Sequence, residues 1–169
     1  MIKAIVAVDN KWGIGKQNKL LVNIPEDMKH FRELTENSTV IMGMNTFKSM
    51  NYSPLQGRQN IVVSVNTKNP YSYNNLFFMK PFEIECFLQR NPNNNIFIIG
   101  GRAVYNFLLK YVEKIYVTKL YGDFNADLFF PCNLDECCDF CCSYESDTMT
   151  NKDSIDFKFC VYERMTKNK

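Results

Sequence analysis

Three short runs of uninterrupted apolar residues, at 40–42, 61–63 and 96–99, constrain this chain more than any other feature. A strand with one wet face alternates apolar and polar residues, so a run without polar interruption needs cover on both faces. Helical segments follow the first and third runs, and residues 5–8 read as a further central strand. Two final strands, around 138–145 and 156–163, are separated by the polar stretch 146–154 and read as an antiparallel hairpin at the sheet edge. The expected fold is α/β: a mixed, mainly parallel twisted sheet with flanking helices and a C-terminal antiparallel hairpin. Its length, 169 residues, suits one domain spanning 1–169. Ligands in such sheets bind beyond the carboxyl ends of the strands, where this sequence places its Gly-rich turns.

One such turn, Trp12-Gly13-Ile14-Gly15, precedes a segment opening Pro25-Glu26-Asp27. Pro25 suits the first helical position, where its missing N–H costs nothing. Asp27 then falls among the unpaired N–H groups of the first turn, with Met28, Phe31 and Leu34 beside it at helical spacing. Two readings stand on this segment alone. Asp27 is either a lone acid among apolar walls, as protonation of a flat, uncharged ring requires, or a helix-capping residue near the surface. Gly43 before Met44-Asn45-Thr46, and Gly100-Gly101 before Arg102-Ala103, mark two strand-to-helix junctions. Small residues there let backbone approach a pyrophosphate, although a Gly-Gly pair equally marks a tight turn and neither site matches the longer dinucleotide fingerprint.

The charge balance excludes other classes. With 22% charged residues and a net charge of +2, nothing argues for nucleic acid or a membrane surface. The apolar run at 5–8 is cut off by Asp9, too short for a signal-peptide core or a bilayer span, so the expected location is cytoplasmic. Five of the seven cysteines, Cys132, Cys137, Cys138, Cys141 and Cys142, crowd one stretch at spacings near those of a metal knuckle. No second pair accompanies them, and the single histidine, His30, lies far away in sequence. The expectation is therefore small buried thiols filling a strand face, with no metal and no disulfide framework. Polar clusters at 66–70, 74–75 and 91–95 read as loops.

Taken in order, several motifs resemble dihydrofolate reductases, from Ile2 to about Arg164. They are the WGIG loop, the Pro25-Glu26-Asp27 helix, Thr39-Val40-Ile41-Met42-Gly43, Leu55-Gln56-Gly57-Arg58, Ile98-Ile99-Gly100-Gly101-Arg102, Ile115-Tyr116-Val117-Thr118 and Ala126-Asp127-Leu128-Phe129-Phe130-Pro131. The resemblance implies hydride transfer from NADPH to C6 of 7,8-dihydrofolate with protonation at N5, in a monomer whose one acid-base side chain is Asp27. It implies that Asp27 holds the pterin, with Thr118 hydrogen-bonded behind it, and that the carbonyls of Ile5 and Ile99 take an amino group in inhibitor complexes. Met28, Phe31, Met50 and Leu55 would wall the pocket. Arg58 would bind the glutamate α-carboxylate, with Arg32 a second contact. On the cofactor side it implies Ala7, Ile14, Gly15, Gly43, Thr46, Ser64, Gly100, Gly101, Arg102 and Tyr105. The loop at 10–22 would close over the nicotinamide, with Trp12 a packing anchor.

Two positions depart from the common family pattern. Leu21-Val22 stands where many relatives have Pro-Trp, and Val22 has no side-chain donor to hold a water near the acid. Met44 and Asn45 stand where a basic residue is usual after the Gly, which leaves Ser64 and Arg102 for the cofactor's 2′-phosphate. Two other readings share these features: a related pyrimidine reductase of riboflavin synthesis, and a noncatalytic folate or nucleotide binder.

Overall fold

Every one of the uninterrupted apolar runs lies inside a sheet covered on both faces. A computed structural model describes residues 1–165. The chain begins with β1 (Ile2–Val8), β2 (Gly13–Gly15) and α1 (Pro25–Thr35), followed by β3 (Thr39–Gly43), α2 (Met44–Ser49), β4 (Gln59–Val63) and β5 (Leu76–Met79). Then come α3 (Pro81–Arg90), β6 (Ile96–Gly100), α4 (Arg102–Leu108), β7 (Lys114–Leu120) and β8 (Leu128–Phe129). The last strands are β9 (Phe140–Glu145), β10 (Met149–Thr150) and β11 (Asp156–Arg164).

The main sheet runs β10-β11-β7-β1-β6-β3-β4-β5, with β9 also paired to β11. Strands β7, β1, β6, β3, β4 and β5 are mutually parallel, whereas β11 is antiparallel to β7, β9 and β10. Alternate side chains enter two cores, as the pleat dictates. Ala4, Val6, Val8, Ile41, Ile61 and Ile98 pack with Ile84 and Leu88 of α3 and Val104 and Leu108 of α4. Ile5, Val40, Met42 and Val62 pack on the other face with Phe47 of α2, and Phe31 and Leu34 of α1 close against them. Both α1 and α3 start on a proline, Pro25 and Pro81, at the first turn.

The structure corrects three sequence expectations. β5 lies in a stretch with no strand expected, because its four residues sit next to the Asn74-Asn75 cluster, which reads as loop. The hairpin stretch 146–154 contains β10, which pairs with β11 through Met149↔Phe157 and Thr150↔Asp156. The expected buried thiols are also misplaced. β9 starts at Phe140 rather than at Cys138, and Cys138, Cys141 and Cys142 are exposed, whereas Cys132 and Cys137 are half-buried. In β9 only Phe140 is buried, because this strand lies beyond β11 at the sheet edge, where no helix covers it.

Candidate active site

The β1–β6 ladder ends at Ala4↔Ile98, so the next residues, Ile5 and Ile99, have no ladder partner between these two strands. The two strands part there, and a cavity of about 1710 Å³ opens at the carboxyl ends of β3, β4 and β6. Ile5, Asp27, Met28, Phe31, Met50, Leu55 and Ile99 line one part of it. Ile14, Gly15, Gly43, Thr46, Gly100, Gly101, Arg102 and Tyr105 line another. Ala7, Arg32, Arg58, Ser64 and Thr118 are not on its wall.

Asp27 sits in the first turn of α1, whose cap residue Ile24 makes no side-chain cap bond. Its carboxylate is instead turned to the sheet, where Thr118 Oγ1 donates to Asp27 Oδ1 at 2.5 Å. Thr118 is buried in the middle of the sheet, level with Ala7 of β1 and Phe159 of β11, so the donor is rigidly placed. Burial raises the Asp27 carboxyl above the ordinary aspartate value, and the Thr118 hydrogen bond and the nearby His30 oppose this. His30 is one turn further along α1, stacked on Phe159 with ring centroids 4.1 Å apart. A half-buried acid held by one hydroxyl between Ile5, Met28, Phe31 and Ile99 can exchange a proton with a ring lying against those side chains.

Tyr105 is buried, and its hydroxyl donates to the Ile5 carbonyl at 2.7 Å. Burial, with the Asp27 charge nearby, pushes that hydroxyl far above its ordinary range, so it stays a donor. The Ile5 carbonyl keeps a second lone pair for a ligand. Arg58 is committed behind the wall: its Nε donates to Thr35 Oγ1 at 2.9 Å, and its terminal nitrogens donate to the carbonyls of Gln56 at 2.6 Å and Arg32 at 3.1 Å. Its guanidinium lies 6.0 Å from the Phe31 ring centroid, and two of its five N–H groups remain for a carboxylate. Arg32 has its side chain exposed.

The glycine junctions form a cradle of bare backbone. A Cβ on Gly100, whose φ is +139°, would stand 2.9 Å from Thr46 Oγ1, and one on Gly43 would stand 3.2 Å from Val104 Cγ2. Gly43 and Gly100 are therefore small because the junctions pack closely on Val104 and Thr46, and with Thr46 and Gly101 they line the cavity, where a group such as a pyrophosphate can meet backbone N–H groups. Arg102 stands at the rim and brings the positive charge. Ser64 lies just behind, its N–H donating to the Met79 carbonyl at 2.9 Å and its Oγ accepting the Asn66 N–H at 3.2 Å. Val63, Pro81, Asn106 and Phe107 also line this end. They went unread in the sequence, since Pro81 follows the overlooked β5 and the helical spacing of Asn106 and Phe107 reads only as α4.

The WGIG loop is tied down from below. Asp9 is buried, and its Oδ1 accepts the N–H groups of Lys11 at 2.9 Å and Gly13 at 2.8 Å. β2 pairs with β8, and Asp127 Oδ2 accepts the Gln17 N–H at 2.8 Å. Trp12 turns the chain at φ +62° with its ring in the core, 6.1 Å from the Phe130 ring centroid. Val22 and Leu21 line the cavity beside Asp27. Among the described residues, no three or more His, Cys, Asp or Glu side chains are grouped as a metal ion would need.

The family model described as dihydrofolate reductase matches residues 1–164. A dihydrofolate reductase of Bacillus subtilis is 33% identical over 170 residues, covering 100% of this chain and 98% of that protein. One from Staphylococcus haemolyticus is 33% identical and covers 97% and 96%. A solved dihydrofolate reductase from Enterococcus faecalis, complexed with NADP(H) and RAB-propyl, superposes with a TM-score of 0.84 at 27% identity, over 98% of this chain and 97% of that one.

Proposed function

This chain belongs to the dihydrofolate reductase family, and from that premise we propose how its residues divide the work. The enzyme reduces dihydrofolate to tetrahydrofolate with NADPH. When bound, NADPH supplies the hydride, received at C6 of 7,8-dihydrofolate. Gly43, Thr46, Gly100 and Gly101 hold the cofactor's pyrophosphate against backbone, Arg102 and Ser64 take its 2′-phosphate, and Ala7, Ile14, Gly15 and Tyr105 border the nicotinamide.

Asp27 holds the pterin and delivers the proton that N5 gains. The observation that carries this role is its carboxylate, raised by burial, fixed by Thr118 and set between apolar side chains on the cavity wall. Met28, Phe31, Met50 and Leu55 exclude water from the ring, and the Ile5 and Ile99 carbonyls take the second amino group of inhibitors. The two free N–H groups of Arg58 take the glutamate α-carboxylate, with Arg32 nearby. With no side-chain donor at Val22, the proton reaches Asp27 from solvent at the cavity mouth. The protein acts as a monomeric, single-domain cytoplasmic enzyme, with no nucleic acid or membrane partner. No helix among the described residues is long and apolar enough to cross a membrane.

Mixing purified protein with NADPH and dihydrofolate tests the reaction directly. The nicotinamide absorbance should fall only when both are present, with one tetrahydrofolate formed per NADPH consumed. No loss of absorbance, with folded protein and both ligands bound, would overturn this function.

A further inference from the structure

Helix α1 meets one face of the sheet at two places a turn apart, and only the first belongs to the site already described. Asp27 and His30 are spaced i, i+3, so they share one face of the helix. Thr118 of β7 lies directly opposite Phe159 of β11 in their antiparallel ladder, and Tyr116 is two residues along β7, so these three side chains stand on one face of the sheet. Asp27 Oδ1 accepts from Thr118 Oγ1 at 2.5 Å. The His30 ring lies on the Phe159 ring, with centroids 4.1 Å and planes 28° apart, and meets the Tyr116 ring edge-on at 6.4 Å. The buried anchors of this helix are at its ends: Ile24, just before it, packs with Leu120 and Phe157, and Thr35 is its last residue. Between these ends the rotation of the helix is set by half-buried contacts, and the His30–Phe159 stack is the one built on the cross-strand partner of Thr118.

We propose that His30 is a positioning residue for the proton transfer: stacked on Phe159, its ring holds α1 at the rotation in which the Asp27 carboxylate receives the Thr118 hydrogen bond. This rests on the reading of Asp27 as the proton source. Stacked rings prefer an offset, face-to-face contact, which fixes tilt as well as distance. Hydrogen bonds weaken steeply as their angle closes, so a slight roll of α1 is enough to weaken the bond at Thr118. The role is one of contact rather than charge. Asp27 and Glu33 flank the ring on its own helix, with Lys29 Nζ 3.8 Å from Glu33 Oε1; β7 brings the Tyr116 hydroxyl, and Phe159 of β11 brings no charge. Burial lowers His30 below the ordinary histidine value, with Asp27 and Glu33 opposing, so at neutral pH the ring is uncharged. An apolar aromatic ring can then serve in its place, whereas a branched aliphatic side chain cannot.

The ionisation of Asp27 tests this, followed in the full-length protein without ligands by the carbon-13 shift of its side-chain carboxyl, with the hydride-transfer rate against pH recorded alongside. His30→Leu keeps the apolar cover but removes the stack, and its Asp27 midpoint should rise toward that of Thr118→Val, by up to about one pH unit or tenfold in the ionisation constant. His30→Phe should keep the parental midpoint. In the Thr118→Val background, His30→Leu should add no further shift, because the bond through which it acts is gone. A parental midpoint in His30→Leu, a His30→Phe midpoint displaced as far as that of His30→Leu, or a full shift retained in the Thr118→Val background would overturn the proposal. Phe159→Leu removes the other ring and is read in the same way if His30→Leu does not fold. The carboxyl titration needs no turnover: if Asp27 were not the proton source, the carboxyl midpoints would still move as stated while the hydride-transfer profile did not follow them.

Discussion

Replacing Thr118 with valine removes one hydroxyl and leaves nearly the same shape in the middle of the sheet. That hydroxyl donates to Asp27 Oδ1 at 2.5 Å and holds the carboxyl's ionisation down against the effect of burial. A hydrogen bond to an ionised group contributes about 1.5–3 kcal/mol and one to a neutral group about 0.5–1.5 kcal/mol, so the difference between their midpoints favours the carboxylate by about 1.2 kcal/mol. Removing it should raise the pH at which Asp27 ionises by about one, a tenfold change in its ionisation constant. Thr118 is only 2% exposed and off the cavity wall, so substrate contacts stay in place. The assay is the single-turnover rate of hydride transfer against pH, with both ligands saturating. The midpoint of the Thr118→Val profile should lie about one pH unit above that of the parent, with the acid plateau retained. A midpoint that stays put or moves to lower pH would refute the reasoning, since Asp27 would then not be the group that limits the profile.

Asp27 itself should weaken the fold at neutral pH. Its folded value is raised, so between 3.8 and that raised value the folded state holds the proton more tightly, and stability falls as pH rises through this window. Asp27→Asn should therefore resist urea better than the parent at neutral pH and match it below about pH 4, each tenfold in the ionisation constant being worth about 1.4 kcal/mol. A variant no more stable at neutral pH would contradict the buried-acid reading. Arg102→Ala should weaken NADPH by roughly 1.5–3 kcal/mol in a fluorescence titration while leaving NADH nearly unchanged. Equal losses would take Arg102 away from the 2′-phosphate. In Gly13→Ala the new Cβ would fall 2.3 Å from Ala126 Cβ and 2.9 Å from Asp9 Oδ1, so the two loops must part. A loss of about 1–3 kcal/mol in urea unfolding is expected, and parental stability would show that the 121–127 loop yields freely.

Strands β1, β3, β4 and β6 were legible in the sequence because burial on both faces leaves a short uninterrupted apolar run, too short for a buried helix and bounded by turn residues. The helical spacing of Met28 and Phe31 beside Asp27 likewise marks one face of α1, and both stand on the cavity wall. Strands β2, β5, β8 and β10 escaped, since two to four residues carry no periodicity and their pairing is decided by distant partners. The cysteines mislead for the same reason: an alternating segment reads as half-buried, and only the tertiary fold shows that β9 hangs beyond β11 with no cover. Arg58 shows a further limit. Its sequence position indicates a cation after a Gly turn, but not that Thr35, Gln56 and Arg32 hold three of its N–H groups.

Proton delivery by Asp27 is the central claim, and the pH dependence of hydride transfer in Asp27→Asn tests it most directly. The amide keeps the shape and accepts the Thr118 hydrogen bond but cannot ionise. The parent rate should rise as pH falls and level off as its own acid becomes protonated. The variant should be much slower at neutral pH and keep rising into acid, because it draws protonated substrate from solution. Superimposable profiles for the two proteins would contradict the account and leave Asp27 a binding residue only.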